Sequence, residues 1–325
     1  MRIAVAGSIA TDHLLTFDGR FADSLLPEQL ASLSVSFLAS DLQVRRGGTG
    51  ANIAFGLASL GLSPVLVGAV GTDAADYLAW LTAHGVDVSG VTTSAGLASA
   101  RFTCTTDHDH NQIATFYPGA MSEAALIDLA GLGEVDLVVV APDDPAAMAR
   151  HSASCRERGV AFAADPSQQL AFLQGPAIRQ LVEGATWLFT NEYEAGLVHE
   201  KTGWNEAEVL ERVRTRVTTL GPKGVRITRH GEPPVEVGVV PARGVAEPTG
   251  VGDAFRAGFL AATGWGLGLE RCAQVGALLA TYVVETVGTQ EYAFTAGEFA
   301  GRLAETYGPD AADEVRPYLP ARPAS

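Results

Sequence analysis

With 325 residues, 47% of them hydrophobic, the chain is long enough for about two domains or one large α/β unit and can bury a sizeable core unaided. Its 22 Lys and Arg face 37 Asp and Glu, and the formal charge of −15 argues against nucleic acid or an anionic membrane surface as a partner. Cys104, Cys155 and Cys272 are too few and scattered for a disulfide framework or a zinc site, no apolar run reaches membrane-spanning length and no leader precedes the first strand, so a cytoplasmic protein is expected.

In chain order, Arg2 to Ala6 reads as a buried strand that ends at Gly7-Ser8 and delivers a polar loop carrying Asp12. Ligand sites of open α/β sheets lie at such carboxyl ends. From Leu14 to Val44 the pattern changes, and Leu33 to Ala39 and Leu42 to Arg45 alternate like strands with one polar face. A second alternating pair follows at Ala100–Thr106 and Gln112–Tyr117, joined by the polar turn Asp107 to Asn111. Together the four segments predict one small sheet. His108 and His110 at its turn read as a solvated tip rather than metal ligands, since no further ligand type clusters nearby.

Between the two pairs, Arg46-Gly-Gly-Thr-Gly-Ala-Asn52 opens an Ala-rich helix, a weak dinucleotide-like signal because the third glycine of that fingerprint is missing. Val65 to Val70 predicts a strand, and Tyr77 to His84 a helix closed by Gly85. After Pro118, strands are expected at 137–140, 160–163, 187–190, 216–220 and 224–228, with helical spans between several of them. Near-continuous apolar strands alternating with helices indicate a parallel sheet covered on both faces. Polar clusters follow three of these strands, at Asp165 to Gln169, Asn191 to Glu194 and Thr219 to Gly224. Asn191 and Glu194 fit a helix cap equally well. The Pro-rich residues 317–325 predict a mobile tail.

Glu247-Pro-Thr-Gly-Val-Gly-Asp-Ala-Phe255 runs a Gly/Pro-rich turn straight into a helix packed through small residues. The free first-turn N–H groups of such a helix suit an anion. Asp253 in that turn is either an ordinary first-turn acid or the base that orients an attacking hydroxyl in phosphoryl transfer, and Gly250 and Gly252 beside it favour the second. A helix N-terminus lowers a carboxyl pKa, which predicts a weak base.

Pro248 to Phe255 resembles the signature of the ribokinase-like (PfkB) kinases, with Glu247-Pro248 where that family usually has Asp and Val251 where it often has Ala. The resemblance extends through Gly7 to Leu14, Ala100 to Thr106, Phe116 to Ser122, Ala163 to Leu170, Val217 to Gly224 and Gly288-Thr-Gln-Glu291, which are similar to the actinobacterial type of bacterial adenosine kinases. It implies an α/β fold with a central, mostly parallel sheet flanked by helices (1–12, 47–99 and 118–316) and a small β-sheet lid (13–46 and 100–117). It places Ser8, Asp12, Ser36, Gly48, Asn52, Phe102, Phe116, Gln168 and Gln169 around a nucleoside. Asn191 and the loop carrying Thr219, Gly221, Lys223 and Gly224 are set around ATP, with Gly250, Val251, Gly252 and Asp253 at the transferring phosphoryl. Mg²⁺ is implied at Glu194 through water, and the family admits K⁺. A basic residue of that family is Phe172 here.

The implied reaction is ATP-dependent phosphorylation of the adenosine 5′-hydroxyl, giving AMP and ADP, a step of purine salvage. A ribokinase- or fructokinase-like sugar kinase and a non-catalytic nucleoside- or sugar-binding regulator on the same fold are the alternatives. About a turn centred at Asp109, Phe102 and Phe116 should be cross-strand neighbours on one face, a pair suited to stacking on a purine. The lid's open edges and uncovered face predict a homodimer through it.

Overall fold

The computed structural model describes residues 1–24 and 34–321. Its nine-stranded sheet has the order β13-β12-β11-β10-β9-β8-β1-β4-β5. These strands are β1 (Ile3–Ala6), β4 (Val65–Gly71), β5 (Asp87–Ser94), β8 (Leu137–Val140), β9 (Ala161–Ala164), β10 (Trp187–Asn191), β11 (Thr215–Thr219), β12 (Val225–Thr228) and β13 (Val235–Val237). All neighbours pair in parallel except β11 with β12 and β12 with β13.

The apolar runs are continuous because both faces are covered. Along β1, Ile3 and Val5 enter one core with helices α2 (Thr49–Ser59), α8 (Val251–Gly264) and α9 (Leu269–Val284). Ala4 and Ala6 enter the other, with α4 (Pro145–Arg158), α5 (Gly175–Val182) and α6 (Glu192–Thr202). Ala257 and Gly258 let α8 approach its neighbours closely: a Cβ on Gly258 would meet the Gly276 backbone of α9 at 2.8 Å, so no larger residue fits without a shift.

A separate four-stranded sheet has the order β3-β2-β6-β7, formed by β2 (Ala10–Thr16), β3 (Asp41–Gly47), β6 (Ala100–Thr106) and β7 (Gln112–Tyr117). The expected small sheet is therefore present, with one member different. Residues 34–39 form no strand, Leu33 lies outside the described residues, and β2 takes the place expected of that segment. Alternation alone makes no strand without a partner; β2 has partners on both sides, β3 antiparallel and β6 parallel. Asp12 consequently sits within a strand rather than in a loop, and the small sheet begins at Ala10 rather than at residue 13.

Strands β5 and β13 were not among the expected elements. Of the expected tail 317–325, the first residues pack: Tyr318 stacks on Trp265 with ring centroids 5.3 Å apart, and Leu319 is buried, while 322–325 lie outside the described residues.

Candidate active site

A cavity of about 520 Å³ lies between the inner face of the small sheet and the carboxyl end of the large one. One cross-strand row spans the whole small sheet, from Arg45 on β3 to Asp12 on β2, Phe102 on β6 and Phe116 on β7. Residues directly opposite each other project from the same face, and all four line the cavity. The turn that sets this register is held by Asp107, whose carboxylate accepts from the N–H groups of Phe21, Asp109 and Asn111.

From the large sheet, the segment after β1 brings Ser8, whose Oγ accepts from the Thr49 N–H at 3.0 Å. It thereby caps α2, which has no cap from its own Gly48. Gly48 has φ 91°, and a Cβ there would meet the Ser8 carbonyl oxygen at 2.6 Å, so glycine is required by both conformation and space. Gln168 and Gln169, on the short turn Ser167–Ala171, line the opposite wall with Phe172, and Gln169 Nε2 donates to the Asp143 carbonyl at 3.0 Å. Ser36 is exposed and is not among the cavity-lining residues.

Gly250 caps α8 in the left-handed conformation (φ 78°), turning the chain so that Asp253 meets the cavity floor beside Asn52. Helix geometry leaves the first amides of α8, on Val251, Gly252 and Asp253, without intrahelical acceptors. Asn52 Nδ2 donates to Asp253 Oδ2 at 2.8 Å. The expectation of a lowered Asp253 pKa is overturned. Burial pushes the carboxyl up to about 7, with nearby Asp165 and Asp12 adding to the rise and Asn52 and Arg256 opposing it. Desolvation outweighs the dipole at this helix end, and the result is a base that changes charge near neutrality.

Beneath Asp253, Arg256 and Asp165 form a buried ion pair at 2.5 Å, and Arg256 also donates to the Gly252 carbonyl at 3.0 Å. Asp12 is pushed to about 6, chiefly by burial and then by Glu247, and Asp143 to about 8 by burial. Carboxyls of raised pKa thus ring the cavity, which is less negative at neutral pH than its composition suggests.

Asn191, Thr219, Gly221, Lys223, Gly224 and Glu194 lie away from this cavity, along the ends of the paired strands β10 and β11, where Asn191 and Thr219 are in register. Asn191 and Glu194 form a complete capping box on α6: the side chain of each accepts from the other's N–H, both at 2.8 Å. Glu194 Oε1 accepts from Ser167 Oγ at 3.4 Å. Among the described residues no three His, Cys, Asp or Glu side chains cluster to hold a metal ion.

Sequence reading missed several cavity residues: Arg45, Glu247, Asp143 and Thr289. Arg45 ion-pairs with Glu247, whose carboxylate also accepts from the Gly288 N–H, tying the small sheet to the loop before α8. Glu247 differing from the usual Asp was the available signal for that pair; nothing local marks Asp143.

The model of the pfkB family carbohydrate kinases matches residues 21–295. The chain belongs to that family. As a kinase of this family it is a phosphotransferase, and its fold is the ribokinase-like one. It is 30% identical to a nucleoside kinase of Methanocaldococcus jannaschii over 251 residues, 75% of this chain and 80% of that one. A nucleoside kinase of Methanothermobacter thermautotrophicus is 28% identical over 94% of this chain and 96% of its own length. Among solved structures, the Burkholderia thailandensis nucleoside kinase in complex with inosine superposes with a TM-score of 0.83 at 34% identity, covering 94% of this chain and 98% of that one.

Proposed function

We propose that this kinase transfers the γ-phosphoryl of ATP to the 5′-hydroxyl of adenosine, giving AMP and ADP. The observation that carries this reading is the row Arg45, Asp12, Phe102, Phe116, which sets two aromatic rings and a carboxylate on one wall of the cavity that Asp253 floors. A purine offers a flat face for the rings, worth about 1–3 kcal/mol per base, and its ribose offers hydroxyls for Asp12. A free sugar has little use for the aromatic half, since its hydroxyls want polar partners. The nucleoside kinases to which the chain is similar, one solved with inosine, support a nucleoside in this place.

In the reaction, Asp253 accepts the 5′-hydroxyl proton while the first amides of α8 face the charge on the moving phosphoryl. ATP is assigned to the rim of β10 and β11, with Asn191, Thr219, Gly221, Lys223 and Gly224 as its contacts; Burkholderia thailandensis nucleoside kinase has also been solved as an ADP and inosine complex. Mg²⁺, which keeps most of its waters and binds through few carboxylates plus substrate phosphates, would neutralise phosphate charge there. Glu194 suits water-mediated contact, since one carboxylate oxygen is committed to the helix cap. A K⁺ requirement belongs to the same reading, as do a cytoplasmic location and a role in purine salvage. Among the described residues no helix is long and apolar enough to cross a membrane.

The test is turnover of ATP by purified protein with a panel of nucleosides and free sugars. Adenosine should be preferred. Preferred phosphorylation of ribose or fructose would establish the sugar-kinase reading, and no turnover with any of them the non-catalytic one.

A further inference from the structure

Within Gly288-Thr-Gln-Glu291, Gln290 has no part in the reading above, yet its side chain reaches the floor of the site through Asn52. Tyr77 Oη donates to the Gly47 carbonyl at 2.8 Å. Gln290 Nε2 lies 2.6 Å from Tyr77 Oη and 3.0 Å from Asn52 Oδ1. Asn52 Nδ2 then meets Asp253. Tyr77, Gln290 and Asn52 are buried, and neither Tyr77 nor Gln290 lines the cavity.

The polarity of this chain of bonds follows from its first link. A backbone carbonyl can only accept, so Tyr77 spends its single proton on Gly47 and its oxygen must accept from the Gln290 nitrogen. Gln290 gives its second proton to Asn52 Oδ1, which leaves Asn52 Nδ2 to point at Asp253. Thr289 Oγ1 also touches Asn52 Oδ1, at 2.9 Å, but it lies 3.0 Å from the Arg46 carbonyl and has one proton for the two. The cost is Gln290 Oε1, buried without a partner among the described residues. Run the other way, the chain would set Asn52 Oδ1 against Asp253, which is tolerable only when a proton sits on that carboxyl.

We propose that Tyr77 and Gln290 are positioning residues that fix the Asn52 amide with its nitrogen toward Asp253 and so hold the base in its proton-accepting form. The inference rests on the kinase reading for the word base, but the bond chain exists independently of it. The charged and titratable groups around Asp253 are Arg256 on α8, Asp165 after β9, Asp12 on β2 and Tyr292, and none belongs to the chain. Asn52 is the neutral donor among these influences, and it favours the carboxylate.

Tyr77→Phe, which keeps the ring, and Gln290→Met, which keeps the length, test this. The Asp253 carboxyl is followed by ¹³C NMR titration, assigned with Asp253→Asn, alongside kcat/KM against pH with adenosine and ATP. In both variants the titration should move up by about one pH unit, and kcat/KM at pH 6 should fall about tenfold while the alkaline plateau changes little. An unmoved titration in either folded variant, or a loss equal at every pH, overturns the inference. If the wild type lacks kinase activity while the titration moves as stated, the bond chain stands and the kinase reading fails.

Discussion

Phe102 on β6 stands directly opposite Phe116 on its antiparallel neighbour β7, and both rings line the cavity. If they bracket a purine, Phe102→Ala should raise KM for adenosine by about 5- to 150-fold on the usual stacking scale. Any weak turnover of ribose should be nearly unaffected. Steady-state kinetics with both acceptors decides: equal loss on the two means that the pair organises the small sheet and does not read the base.

Asp253→Asn should lower kcat by about 10²–10⁴-fold with little change in adenosine affinity by calorimetry. A near-normal kcat would return Asp253 to the status of a first-turn acid.

The raised pKa of Asp253 carries a second, independent consequence. Its folded value of about 7 lies above that of the unfolded chain, so the folded state holds the proton more tightly. The stability from that proton is fully present below the unfolded value and is lost as pH rises through about 7. Asp253→Asn should therefore match the wild type in thermal unfolding near pH 4 and exceed it near pH 8. An Asn variant that is less stable at pH 8 would mean that the carboxylate is stabilised there in a way its burial does not suggest.

Arg256→Met leaves Asp165 as an unpaired buried charge and should cost about 3–5 kcal/mol in denaturant unfolding. Adding Asp165→Asn should recover much of that loss, because it removes the charge left uncompensated. Additive losses in the double variant would show that the two side chains act separately.

On the other face of the small sheet, Leu42 and Val44 of β3 and Ile113 of β7 are exposed. An apolar outer face between two edge strands calls for cover, and we propose that a second copy of this chain supplies it. Light scattering at micromolar concentration should give a dimer, and Val44→Lys with Ile113→Lys a monomer. A monomeric wild type would sink this part of the reading.

What the sequence made legible was mostly local or periodic. The apolar strands, the glycine-led start of α8 and the Phe102 and Phe116 register about Asp109 each follow from a pattern within a few residues. Strand β2 did not, because Ala-Thr-Asp-His-Leu-Leu-Thr alternates weakly and is made a strand by β3 and β6, far along the chain. The Arg45 and Glu247 pair and the Tyr77, Gln290 and Asn52 bonds likewise join distant segments. The Asp253 pKa went the wrong way for the same reason: the dipole is read from the neighbouring residues, while burial is decided by the whole fold.

Strand β2 leaves the large sheet after three residues, Gly7, Ser8 and Ile9. Those three are pinned: the Gly7 N–H donates to the Val67 carbonyl, the Ser8 N–H to the Pro142 carbonyl, and the Ala51 N–H to the Ser8 carbonyl, while Ile9 is buried. A strap fastened so closely allows no slack for sliding. The other strands are fastened at the same level: β3 runs through Gly47 and Gly48 into α2, and β7 runs through Tyr117 and Pro118 into the buried turn that starts at Gly119, where the Ala120 N–H donates to the Ala98 carbonyl. The cavity wall that carries Asp12 and Phe116 is therefore fastened at both ends of its row, each of the two side chains standing within a few residues of an anchorage.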